Sequence, residues 1–182
     1  MDLRAATNLA ALFYAQGRIV SMKKILVLGY GNPDRGDDGI AWHILNDLCT
    51  CFSIDSGFLL EGEVFPLNLN ADCWFGFQLI PEIADLISKY QKLIFIDAHN
   101  SPKLEDLSLN TILPDINRSP LTHHLTPSGL LGIAKTLGLP IPESTLISIR
   151  GFEFGFHRTL SPMTEKSRIK AINIRSRRFP AE

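Results

Sequence analysis

A chain of 182 residues with 45% hydrophobic and 20% charged residues carries enough apolar material for one filled core, which excludes a disordered chain. Its formal net charge of −1 gives no basis for general nucleic-acid binding, and no apolar run reaches the roughly 18 residues of a transmembrane helix. Three cysteines, Cys49, Cys51 and Cys73, are an odd number without a Cys-x-x-Cys, which argues against a disulfide framework or a zinc knuckle and for a reducing compartment, the cytosol.

Residues 1–21 lack a long apolar stretch behind a basic start, so they read as neither a secretory signal nor an anchor. Met22-Lys23-Lys24 directly precedes the first strand, and 1–21 are expected to be a dispensable N-terminal extension. The first strand, Ile25-Leu26-Val27-Leu28, runs into Gly29-Tyr30-Gly31-Asn32-Pro33-Asp34-Arg35-Gly36-Asp37-Asp38-Gly39. A dinucleotide-binding turn, Gly-x-Gly-x-x-Gly, would need glycine where Asp34 stands, and Asp37 and Asp38 follow where phosphate charge would sit. The loop instead suits a cation, because hard and borderline metals accept carboxylate oxygen.

Ile40, Ala41, Ile44, Leu45 and Leu48 recur at helical spacing behind the loop, which sets Asp38 near a helix N-terminus. Phe58-Leu59-Leu60 reads as the second strand, ahead of Glu61-Gly62-Glu63. Ile80, Ile83, Ala84 and Ile87 describe a second helix, with Pro81 in its first turn. Leu93-Ile94-Phe95-Ile96 is continuously apolar, as in a central strand covered on both faces, and ends in Asp97-Ala98-His99. Leu107 to Leu113 alternates like an edge strand, Leu130, Leu131, Ile133, Ala134 and Leu137 form a third helical pattern, and Thr145 to Ile149 is the last strand. Ser161-Pro162 supplies an N-cap and first-turn proline for a C-terminal helix. This order implies a three-layer α/β/α sandwich with a largely parallel central sheet of about five strands, as one domain over 22–162, followed by the C-terminal helix and basic tail over 163–182. Arg168, Lys170, Arg175, Arg177 and Arg178 in that tail read as solvated, with docking to an acidic partner as the alternative.

Two strands thus deliver acids to one sheet edge, Asp38 after the first and Asp97 at the end of the third. The loop Thr122-His123-His124-Leu125-Thr126-Pro127 offers a neutral imidazole from His123 or His124, the usual nitrogen ligand of zinc, nickel or copper. Two carboxylates and a histidine from three loops make a facial set with open positions. Asn32 shapes the turn, His43, His99 and His157 read as exposed or supporting groups, and the cysteines read as small packing residues. No Gly-x-Ser-x-Gly elbow offers a serine nucleophile.

Gly29-x-Gly31-Asn32 with Asp37-Asp38-Gly39, the Phe95-Ile96-Asp97-Ala98 strand end, and His123 ahead of Leu130-Leu131 resemble the nickel-iron hydrogenase maturation endopeptidases. Glu153-Phe154-Gly155 and Leu160-Ser161-Pro162 look like the closing segment of that family. The resemblance implies a hydrolase that removes the C-terminal extension of a hydrogenase large-subunit precursor after nickel insertion. It further implies that the enzyme recognises nickel supplied by that precursor rather than holding a metal of its own. By the same resemblance Asp38 and Asp97 match the metal-binding acids and His123 the histidine, with His124 one residue away as the other choice. Many relatives have glutamate at the first of these positions, so Asp38 draws that ligand back by one methylene. Catalysis by these three residues leaves open whether a carboxylate or the nickel activates the water. A cytoplasmic, monomeric enzyme is expected. The alternatives are a general metallohydrolase with its own metal and a non-catalytic nickel carrier or chaperone for the precursor.

Overall fold

The computed structural model describes residues 25–52, 59–116 and 125–172. The 1–21 extension and Arg175, Arg177 and Arg178 of the tail lie outside the described residues, as does Phe58. Strand β1, Ile25–Tyr30, is buried from Ile25 to Gly29 because both its faces are covered. Its odd positions, Ile25 and Val27, pack with Ile40, Ala41, Ile44, Leu45, Leu48 and Cys49 of helix α1, Ile40–Cys51. Its even positions, Leu26 and Leu28, enter a second core on the opposite face.

The chain next forms a hairpin, β2 (Val64–Asn68) and β3 (Ala71–Gly76), whose strands pair antiparallel with a register shift between Pro66 and Asn68. Leu59 and Leu60 precede it outside any strand, which corrects the expected strand at Phe58-Leu59-Leu60. Pro66 lacks the amide a central strand needs, and it is tolerated because β2 lies at the sheet edge. A short turn, Pro81–Ile83, opens helix α2, Ala84–Ile87, with proline at its start as expected. Strand β4, Lys92–His99, is central, and β5, Leu107–Ile112, is the opposite edge. Helix α3, Pro127–Thr136, begins behind Thr126, whose hydroxyl accepts from Gly129 N at 3.2 Å. Strand β6, Glu143–Arg150, and helix α4, Pro162–Ile172, complete the fold, with Ser161 Oγ accepting from Thr164 N at 3.4 Å.

The sheet has six strands, one more than expected, in the order β2-β3-β1-β4-β6-β5. The inner four are parallel and the two edges antiparallel. One face carries α1 and Ala171 near the end of α4; the other carries α2 and α3, which gives the expected three layers. Arg168 bonds to Asp47 of α1 and to Glu165, so this member of the basic cluster ties α4 to α1 and is not part of a loose tail. From β1 the chain crosses to β3 on one side, then returns past β1 to β4 on the other. The reversal leaves a crevice beyond the carboxyl ends of β1 and β4, where open α/β sheets bind their ligands. Among the described residues no helix is long and apolar enough to cross a membrane.

Candidate functional site

The loop leaving β1 and the end of β4 meet in this crevice. Gly31 has φ +132°, and a Cβ there would stand 2.2 Å from the carbonyl oxygen of Asp38, so only glycine lets the strand end approach the turn Gly36–Gly39 this closely. Asn32 Oδ1 accepts from Asp34 N at 2.9 Å, and Asn32 N donates to Asp38 Oδ2 at 2.9 Å. Asn32 therefore shapes the turn, as expected, and its backbone amide orients a half-buried Asp38.

Asp97 faces the second core side with Leu93 and Phe95, and Tyr30 faces it with Leu26 and Leu28. The register that pairs Gly29 with Ile96 brings the next two residues together, and Tyr30 Oη donates to Asp97 Oδ2 at 2.8 Å. Strand β4 continues through Ala98, paired with Ile149, and His99, paired with Arg150, so Asp97 stands inside the strand and not at its terminus. Burial lifts the Asp97 carboxyl from 3.8 to about 6; hydrogen bonds from Tyr30 and the Ala98 amide oppose the rise, and the charge of Asp38 adds to it. The two expected acids are thus within electrostatic reach of one another. Burial also pushes the Tyr30 phenol above its ordinary range, reinforced by the Asp97 charge and by the hydrogen bond it donates.

Asp37 goes the other way. It is fully buried, with Oδ2 accepting from Phe152 N at 2.7 Å, Glu153 N at 2.9 Å and Ser161 Oγ at 2.7 Å, while Oδ1 accepts from Ser161 N at 2.7 Å. Burial alone would raise this carboxyl; the bonds from Phe152, Ser161 and Glu153 outweigh it and hold the group below 3.8. Backbone bonds from Gly36 N to His157 O (2.6 Å) and from Asp37 N to Glu153 O (2.8 Å) extend the clamp. The expectation that the loop lifts both acids to a cation is corrected: Asp38 turns to the crevice, while Asp37 fastens the loop to residues 152–161.

No family model and no curated protein matches the chain. Solved structures do. The hydrogenase maturating endopeptidase HybD of E. coli superposes with a TM-score of 0.60 at 20% identity, over 82% of this chain and 87% of that one. The hydrogenase 2 maturation peptidase of a Thaumarchaeota archaeon gives 0.53 at 25% identity, over 84% and 95%, and the [NiFe] hydrogenase maturation protease HycI of Thermococcus kodakarensis gives 0.57 at 17%, over 84% and 89%. The chain has the fold of the hydrogenase maturation proteases.

Within this protease fold the third expected ligand, His123, lies outside the described residues together with His124. Among the described residues no three His, Cys, Asp or Glu side chains gather to hold a metal ion. Leu125, the first described residue after that loop, packs on the core face shared by Tyr30. The other histidines bond backbone carbonyls: His43 Nε2 meets Arg158 O at 2.9 Å, His99 Nε2 meets Glu105 O at 3.1 Å, and His157 Nδ1 meets Thr159 O at 3.0 Å. Cys49 and Cys73 are buried packing residues, and Cys51 is partly exposed. Sequence reasoning missed one contributor to this protease fold's crevice and one to the clamp on Asp37. Tyr30 is legible only once β1 and β4 are set in register, and Ser161 was read as an N-cap but also supplies two of the four bonds to Asp37.

Proposed function

We propose that this protein is an endopeptidase that removes the C-terminal extension of a nickel-iron hydrogenase large-subunit precursor once nickel has been inserted. The observation that carries the reading is the convergence of Asp38 and Asp97 at the reversal point of a fold shared with hydrogenase maturation proteases. Two carboxylates oriented by fixed donors suit a borderline divalent cation presented by the substrate. His123, or His124 beside it, supplies the imidazole that completes a three-point contact. Asp97, at about 6, is mostly ionised near neutral pH and is matched to accepting a proton from water. The enzyme acts in the cytosol as a monomer that docks on a larger precursor, and the nickel belongs to the substrate.

Intact-mass spectrometry of the precursor, nickel-loaded and nickel-free, after incubation with the protein tests this reading. Loss of one C-terminal peptide from the loaded form alone is the expected result. An intact loaded precursor refutes proteolysis, and stable association without cleavage identifies a carrier.

A further inference from the structure

Strand β1 ends with a single side chain between two glycines, Tyr30 between Gly29 and Gly31. Its ring packs against the core under α2 and α3, and its hydroxyl meets Asp97 Oδ2 at 2.8 Å across 67 residues of sequence. Two residues on, the amide of Asn32 meets Asp38 Oδ2 at 2.9 Å. One strand end therefore supplies a donor to each acid. Because Tyr30 belongs to the paired part of β1, opposite Gly76 of β3, its hydroxyl is delivered from a rigid element.

We infer that Tyr30 is a positioning residue that fixes the Asp97 carboxylate relative to Asp38 for the reacting site; the inference rests on the proposed endopeptidase activity. A phenol at the tip of a packed ring moves less than a solvent molecule would, so with the Ala98 amide it keeps Asp97 in one orientation. Groups that orient a ligating or reacting carboxylate in this way influence turnover as strongly as many direct contacts.

The fold supplies its own control. Tyr90 Oη donates to Asp72 Oδ2 at 2.7 Å, the same pair of groups, but Asp72 lies opposite Leu26, at the other end of the parallel strands. Steady-state cleavage of nickel-loaded precursor by the full chain should show Tyr30→Phe lowering kcat by about 10–100-fold with KM held within about twofold. Tyr90→Phe should leave both constants at wild-type values while lowering Tm by a similar amount. Wild-type kcat in Tyr30→Phe, or equal kcat losses in the two variants, overturns the inference and leaves the proposed activity standing. Absence of cleavage by the wild-type protein removes both. Tyr30→Met, which refills the space without a donor, repeats the measurement if the phenylalanine variant is unfolded at the assay temperature.

Discussion

Asp97→Asn should make the protein more stable and inactive at once. The Asp97 carboxyl sits at about 6 in the folded chain against 3.8 ordinarily, so between those values the folded state holds a proton that the unfolded state has released. Stability therefore falls as pH rises through this window. At about 1.4 kcal/mol per pH unit, the loss reaches about 3 kcal/mol once both states are ionised. Asparagine cannot ionise, and its carbonyl oxygen still accepts from Tyr30. The variant should thus exceed wild type by up to about 3 kcal/mol at pH 7.5, with the gap closing near pH 4. Urea unfolding followed by the fluorescence of Trp42 and buried Trp74 measures the gap at both pH values. Precursor processing by the same variant should be undetectable. A variant less stable than wild type at pH 7.5, or a gap that does not change with pH, would refute the claim that burial strains this carboxylate.

Asp38→Asn keeps an acceptor for the Asn32 amide, so its Tm should move by less than about 2 °C while processing is lost, as read by melting and intact mass. Asp37→Ala removes the acceptor of four hydrogen bonds, two of them buried, and should cost about 3–5 kcal/mol in urea unfolding. Because the folded Asp37 carboxyl lies below 3.8, its stabilisation is fully present above 3.8 and is lost as pH falls through the lowered value, a slope the variant should lack. Gly31→Ala forces a side chain onto φ +132° and into the Asp38 carbonyl, and should destabilise by at least about 2 kcal/mol in the same assay.

What the sequence disclosed depended on how local the signal was. β1, α1 and β4 were legible because unbroken apolar runs or helical spacing filled each element. The β2–β3 hairpin was missed because Pro66, Asn68 and Asp72 interrupt its apolar positions, and because it is held by β1 opposite Ala71 to Gly76, a pairing absent from local pattern. The nearness of Asp38 to Asp97 was legible because one follows, and the other stands near the end of, a buried parallel strand. The different fates of Asp37 and Asp38 were not legible. They are decided by amides of Phe152, Glu153 and Ser161, more than a hundred residues away.

Comparison of Asp37 with Asp97 shows how one residue type becomes a structural clamp in one place and an under-compensated carboxylate in another. Both carboxyls are drawn upward by burial. Asp37 receives four hydrogen bonds, from Phe152, Glu153 and Ser161, and the net effect holds it ionised and inert. Asp97 receives two, from Tyr30 and the Ala98 amide, and faces the negative charge of Asp38, so its ionised form stays under-compensated. Strain of this kind is relieved by whatever brings positive charge between the two acids. On the proposed function that charge is the nickel carried by the precursor. The site would then bind most tightly to a substrate already loaded with its metal, and the fold would discriminate finished from unfinished precursor through the same electrostatic deficit that makes Asp97→Asn more stable.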